Sequence, residues 1–328
     1  MKLLTFKKCR KPTIDISSGG QAGALVNTDE ILDFSLARTS PSLARWIPDS
    51  ILGILEAGQK GLDFVRRLVD EVEEATESER EGLRERGALL PLATTQLLAP
   101  VPQPAFILST GLNYGQHLKE MGAPRPPHPA AFIKNATSVI GPGSPIILPP
   151  QFPDMVDFEG ELSFIFGHAC HNVAAEDAMD YVAGYTIVND VSARDWVAAT
   201  QRAKEPMEAV HAWWVNLMGK QLPTFCPMGP LLVTRDEIAD PHELNLTTTL
   251  NGEVMQSANT NDLLFKLPEL IAYFSKWYCF RPGDVITTGS PAGVGFARDP
   301  KVFMKAGDVV AVQVDGVGTL SNPVAAAD

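Results

Sequence analysis

Apolar and polar positions change rhythm twice along the chain. Up to about residue 50, short apolar runs alternate with turn residues. Ser17-Ser18-Gly19-Gly20 precede the run Ala22 to Val26, and Asn27-Thr28-Asp29-Glu30 follow it, the pattern of a small hairpin-type β unit. From about Ser42 to Ala88 the spacing becomes helical, with Ile51, Leu52, Ile54 and Leu55, then Phe64, Leu68, Val69 and Val72. The charge-rich stretch Asp70 to Arg86 reads as a solvated helix face. In Ala99-Pro100-Val101-Pro102-Gln103-Pro104 each proline restricts the residue before it, so extended backbone is expected. A domain boundary is placed just before it, giving a small N-terminal α+β domain (1–98) and a second domain (99–328).

Beyond residue 100 short apolar runs recur between Gly and Pro turn signals: Ala105 to Leu108, Val139-Ile140, Ile146 to Leu148, Leu162 to Phe166, Leu231 to Thr234 and Val309 to Val314. Leu263, Leu264, Leu267, Leu270, Ile271 and Phe274 predict one helix over about Asp262 to Tyr278. No internal repeat is visible. The expected class is α+β, mainly β.

Composition narrows the function. The 328 residues carry 45% hydrophobic and 20% charged positions, ordinary for a folded chain and unlike a disordered or low-complexity one. With 27 Lys and Arg against 39 Asp and Glu, the formal net charge is −12 and there is no concentrated basic stripe, which argues against nucleic acid and anionic membranes as partners. Cys9, Cys170, Cys226 and Cys279 are scattered without a Cys-x-x-Cys pair, as in reduced cytosolic proteins. The opening Met-Lys-Leu-Leu-Thr-Phe-Lys-Lys-Cys lacks the apolar stretch of a leader, and no run approaches the ~18 apolar residues of a span, so the expected location is cytoplasmic.

The most informative segment is Val156-Asp157-Phe158-Glu159-Gly160-Glu161-Leu162-Ser163-Phe164-Ile165-Phe166. As a strand it would align Asp157, Glu159 and Glu161 on one face, a repulsive arrangement unless protons, basic side chains or a cation compensate. Asp190 lies inside a second apolar run, Tyr185 to Asp195, where an unpaired carboxylate is expensive. Glu159, Glu161 and Asp190 together would form a hard, all-oxygen site suited to Mg²⁺ or Mn²⁺, and less well to Ca²⁺. Surface acids, or ion pairs with Arg194, are the alternative.

At these residues the chain resembles the fumarylacetoacetate hydrolase family, through an ordered series of motifs from about residue 100 onward. These are Gly111-Leu112-Asn113-Tyr114 with His117 and Glu120; Asp157-Phe158-Glu159-Gly160-Glu161-Leu162; Gly184-Tyr185; and Asn189-Asp190-Val191-Ser192-Ala193-Arg194-Asp195. Gly219-Lys220, Thr224-Phe225, Gly229-Pro230, Asn251-Gly252-Glu253, Arg281-Pro282-Gly283-Asp284-Val285-Ile286, Gly289-Ser290-Pro291 and Gly293-Val294-Gly295 continue it. The resemblance implies a β-roll catalytic domain, a homodimer, a small-molecule 2-oxo acid substrate, and Mg²⁺ or Mn²⁺ held by Glu159, Glu161 and Asp190. It places Lys220 beside developing oxyanion charge, and Asn113, Tyr114, Arg194, Thr224, Gly289 and Ser290 on the substrate side.

His117 and Glu120 share a helical face at i, i+3, and a carboxylate against imidazole fixes the tautomer and raises basicity. With the Asn113-Tyr114 match this pair reads as a catalytic dyad on a lid; as a lone pair it would read as a surface contact. The leading expectation is metal-dependent hydrolytic carbon–carbon cleavage of a 2,4-dioxo acid such as an acylpyruvate. Isomerisation or decarboxylation, as in related members acting on hydroxymuconate-type acids or oxaloacetate, comes second, and a non-catalytic 2-oxo-acid binding module third.

Some features depart from the family pattern. Val197 stands where many members have glutamine, Ser290 replaces the usual threonine, no additional aspartate ligand precedes His117, and the connection from Asp195 to Lys220, with Trp196, Trp213 and Trp214, is long. His168 and His171 read as a turn rather than a second metal site. The glycines from Gly289 to Gly295 do not open a helix as a phosphate loop would. No Gly-x-Ser-x-Gly elbow occurs.

Overall fold

A computed structural model of the protein describes residues 1–7, 20–36 and 48–327, without the Gln201 side chain. Cys9, the turn residues Ser17 to Gly19 and the start of the helical pattern at Ser42 lie outside the described residues. Strand β1 (Lys2–Lys7) runs antiparallel to β2 (Gln21–Val26), which turns into β3 (Glu30–Asp33) as the hairpin pattern requires. The helical region divides into α1 (Ile51–Glu56), α2 (Gly58–Glu73) and α3 (Glu77–Glu85). Helix α2 buries Gly61, Val65, Leu68, Val69 and Val72, spaced by three and four, while α3 opens on a Thr76–Glu79 capping box. The charge run is more than a solvated face, because Arg84 reaches back to Glu30 on β3 at 2.7 Å. Next come β4 (Leu89–Pro91), paired with β3, and β5 (Gln96–Leu98), paired with β1.

The chain continues through β6 (Ile107–Gly111), α4 (Gly115–Met121), β7 (Ala130–Lys134), β8 (Val139–Ile140), β9 (Ile146–Leu148) and β10 (Val156–Asp157). Then follow β11 (Gly160–Phe166), β12 (Val182–Asn189), β13 (Ser192–Ala193), α5 (Val197–Arg202), α6 (Pro206–Met218) and β14 (Cys226–Thr234). The remaining elements are β15 (Asn245–Leu250), β16 (Glu253–Asn259), α7 (Leu267–Phe274), β17 (Val285–Thr287), β18 (Val309–Val314) and β19 (Gly318–Ala326). Helix α7 is shorter than the apolar spacing suggests. Pro268 sits in its first turn, where a missing N–H is tolerated, and Leu263 and Leu264 precede it, tied to Tyr114 by a β-bridge and to the Asn113 carbonyl.

Twelve strands form one sheet in the order β4-β3-β2-β1-β14-β12-β11-β17-β6-β7, with β5 on β1 and β8 on β14. The β1–β14 pairing makes the N-terminal strands a continuation of the same sheet. A five-stranded sheet, β16-β15-β18-β19-β9, packs against it. Strands β11 and β12 are buried along their whole length because both faces are covered. On one side Leu162, Phe164 and Ile187 meet Leu246, Val312 and Leu320 of the second sheet; on the other Ile165 and Val188 belong to the cluster that includes Ile54 and Val65 of α1 and α2. The result is the expected α+β, mainly β architecture with seven helices among the described residues. None of the helices is long and apolar enough to cross a membrane.

Close strand packing is visible at Gly184 in β12, where a Cβ would lie 2.1 Å from the Val233 carbonyl oxygen of β14. Gly184→Ala is expected to push the two strands apart and destabilise the fold by about 1–3 kcal/mol. Gly82→Ala on α3, whose Cβ would meet only the Arg86 side chain at 3.7 Å, should be neutral or stabilising by about 0.5–1 kcal/mol. Urea unfolding of the two variants checks the contrast, and a stable Gly184→Ala protein would contradict it.

Candidate active site

Antiparallel pairing of β11 with β12 sets Gly160 opposite Asn189, so the residues flanking that pair converge. The Asp190 amide donates to the Glu159 carbonyl at 2.8 Å. One carboxylate oxygen each from Glu159, Glu161 and Asp190 then lies within 4.8 Å of the others, and all three residues are buried. The expected single strand over 156–166 is broken. β10 pairs with β13 while β11 pairs with β12, leaving Phe158 and Glu159 between two pairings. Asp157 is thereby separated from the other acids. Its Oδ1 accepts the Gly295 amide at 2.7 Å, and its Oδ2 accepts the Phe296 amide at 3.0 Å and Arg194 Nε at 2.9 Å.

Three cations compensate this cluster. Arg194 joins Asp157 to Glu159. Lys220 Nζ donates to Glu159, to Asp190 Oδ2 at 2.8 Å and to Ser192 Oγ at 2.7 Å, so all three of its protons are used. Lys134, absent from the sequence reading, is 1% exposed and gives its protons to Asp190 Oδ1 at 2.5 Å and the Lys220 carbonyl at 2.6 Å. Its signal was a lysine closing the apolar strand Ala130 to Lys134, since lysine is rarely buried unless paired. Burial would raise the Glu159 carboxyl, but the Arg194 and Lys220 charges outweigh it and hold it well below the usual range. Burial, and then the Asp190 charge, push Glu161 well above that range, and among the described residues no cation is paired with it.

The donor set fits a hard divalent cation. It is all oxygen and buried, and each carboxylate has about four lone-pair sites, more than the hydrogen bonds here use. Two oxygens across Mg²⁺ span about 4.2 Å, close to the spacing of the three acids, so small side-chain rotations close the site. Both alternatives left by the sequence are therefore present together: Arg194 makes ion pairs, and the triad keeps free lone pairs.

The triad lies on the wall of a cavity of about 480 Å³ that is also lined by Lys220, Arg194, His117, Glu120 and Ser290. His117 and Glu120 are brought together on α4. His117 Nδ1 is 3.0 Å from Glu120 Oε2, and the same carboxylate accepts the Gly293 amide at 3.1 Å. The helix enters from Leu112, whose φ of 55° turns the chain sharply after β6, and Asp262 accepts the Gln116 amide at its N-terminus. Trp213, Asn216 and Leu217 of α6 form part of the wall, as does Val197 of α5 at the position where glutamine was expected.

Four expected substrate residues, Asn113, Tyr114, Thr224 and Gly289, do not line the cavity. Asn113 is fully used on backbone, donating to the Phe265 and Thr288 carbonyls and accepting the Phe265 amide. Tyr114 is buried, and burial followed by the Glu161 charge raises its phenol above the usual range. Thr224, at φ 72°, has its hydroxyl on the Ile147 amide at 2.9 Å. Gly289 contributes its amide, which donates to Glu161 Oε2 at 3.0 Å; its φ of +92° beside Asn113 suits glycine. Ser290 does line the cavity, although Gln256, unread in the sequence, donates to its hydroxyl at 2.7 Å. His171 bonds the Tyr278 carbonyl, and neither it nor His168 joins a metal-ligating cluster among the described residues.

Residues 106–325 match the profile described as "Fumarylacetoacetate (FAA) hydrolase C-terminal". The chain is 43% identical over 260 residues to the mitochondrial oxaloacetate tautomerase fahd2 of Xenopus laevis, covering 79% of this chain and 78% of the relative. It is 35% identical to the oxaloacetate tautomerase YisK of Bacillus subtilis over 92% of this chain and 95% of the other. Among solved structures, maleylpyruvate hydrolase from Sphingobium sp. SYK-6, in complex with manganese(II) ion and pyruvate, is 28% identical with a TM-score of 0.69, covering 100% of both chains.

Because Asp157 fixes both Arg194 and the 295–296 turn, Asp157→Asn should destabilise the protein by about 1.5–3 kcal/mol. Asp154→Asn, at an exposed position, should stay within about 0.5 kcal/mol of the parent. Urea unfolding measures both, and equal stabilities would remove the anchoring role.

Proposed function

The chain belongs to the fumarylacetoacetate hydrolase family, and we propose that it interconverts the enol and keto forms of a 2-oxo acid of the oxaloacetate type. The observation that carries this reading is one cavity shared by a carboxylate-oriented imidazole and a buried three-carboxylate site. A divalent cation at Glu159, Glu161 and Asp190 supplies, when bound, Lewis-acid polarisation of the 2-oxo group.

The residues of the chain account for the proton movement. Glu120 engages His117 Nδ1, which leaves Nε2 free to exchange a proton with substrate. In the keto-to-enol direction His117 takes a proton from the carbon next to the carbonyl, electron density moves onto the 2-oxo oxygen, and the proton is returned there. The reverse order regenerates the keto form. One imidazole suffices because no net proton, electron or water is consumed. Lys220 and Lys134 act as fixed charges that keep the triad from repelling an incoming carboxylate. The names of the two curated relatives support the same reaction class.

Hydrolytic carbon–carbon cleavage, which the sequence reading placed first, stands second. It is favoured by the likeness to maleylpyruvate hydrolase over the full length of both chains, and the same dyad would then act on water. Tautomerisation asks for fewer components.

The test follows the decay of enol absorbance in fresh oxaloacetate with Mg²⁺, Mn²⁺ or EDTA, and identifies the products from oxaloacetate and maleylpyruvate. Metal-dependent acceleration without carbon–carbon cleavage is the expected result. Pyruvate release from maleylpyruvate with no effect on oxaloacetate would instead establish the hydrolase. His117→Ala should lower turnover by about 10²–10⁴-fold. Its Mn²⁺ affinity, read by paramagnetic titration, should equal that of the parent, and full activity in this variant would overturn the role of the dyad. Glu161→Gln should weaken Mn²⁺ binding itself.

A further inference from the structure

The cations at the inner end of the cavity are already engaged, Arg194 and Lys220 with carboxylates on its wall. Lys301 also lines the cavity, and among the described residues no carboxylate lies within ion-pair distance of it. Its ammonium donates to the Phe296 carbonyl and stands 3.7 Å from the centroid of the Phe296 ring. A backbone carbonyl and a ring face position a lysine without neutralising it. Phe296 is itself held by its amide on the buried Asp157, so the lysine is referenced to the same anchor that orients Arg194.

The other walls include Phe132, Val197, Trp213 and Leu217, surfaces that give a second carboxylate no counter-charge. We infer that Lys301 is a specificity-determining residue that receives the distal carboxylate of a 2-oxo dicarboxylate while the 2-oxo acid head faces the triad. This deepens the tautomerase reading and rests on it for the orientation of the substrate. The site thereby selects dicarboxylates over acids of equal size with an apolar tail, although much of its wall is apolar.

Two stable 2-hydroxy acids test the assignment, since both carry the head group without being turned over as enols. Malate keeps the distal carboxylate, and 2-hydroxy-4-methylpentanoate replaces it with an isopropyl group of similar shape. Their affinities for the Mg²⁺-loaded protein are measured by calorimetry for the parent, Lys301→Met and Lys301→Arg. Lys301→Met is expected to weaken malate at least tenfold and leave the isopropyl acid within twofold, while Lys301→Arg retains malate within threefold. The inference is overturned if malate does not bind the parent, if its affinity survives Lys301→Met, or if that variant weakens both acids alike. Calorimetry does not depend on turnover, so a parent that binds malate with this selectivity yet fails to tautomerise oxaloacetate would overturn the reaction and still support the carboxylate receptor.

Discussion

The structure depends on gathering charge at the end of a strand pair that is covered on both faces. Asp157, Glu159, Glu161 and Asp190 are all buried, and Arg194, Lys134 and Lys220 are buried or nearly so beside them. Isolated charges could not be kept there, because desolvation of each ion costs several kcal/mol. The arrangement persists because donors meet acceptors one after another, from Arg194 through Glu159 and Lys220 to Asp190 and Lys134. The cluster holds one acid more than it holds bases. Glu161 is the acid left without a cation, and burial first and the Asp190 charge second push its carboxyl up, while Arg194 and Lys220 hold Glu159 down. A site in this state is prepared for one further positive species.

The sheet supplies the precision. Asp190 follows β12, Glu159 precedes β11 and Glu161 lies within it, so the register of a single strand pair sets the spacing of the acids. Lys134 closes β7 and Lys220 follows α6, bringing cations from elements distant in sequence. With both faces of β11 and β12 packed, the register cannot slip without moving every core side chain to the wrong side. Strand β1 takes part in this restraint, since it pairs with β14, the neighbour of β12.

Much of this was legible in the sequence for a physical reason. Acids abutting an apolar strand are costly, so Glu159, Glu161 and Asp190 announced a compensated cluster, and alternation reproduced β18 from Val309 to Val314. What compensates the acids could not be read from local pattern. Lys134 is 56 residues from Asp190, and Asp157 shared the apparent period of its neighbours until the strand broke. Asn113 and Thr224 carry the right chemistry for substrate, yet backbone partners at Phe265 and Ile147 claim them. Lys301 lies in a loop outside any helix or strand, where no periodic pattern marks it.

Glu120 accepts from Gly293 with the carboxylate that orients His117. Its two bonds belong to different parts of the chain, one within α4 and one to the loop beyond Ser290. Because His117 and Glu120 both sit on α4, a movement of the helix away from that loop would carry the pair as a unit and, of these two bonds, break only the one to Gly293. The Gly293 bond therefore ties the position of α4, and with it both residues of the pair, to the loop that follows Ser290 on the cavity wall.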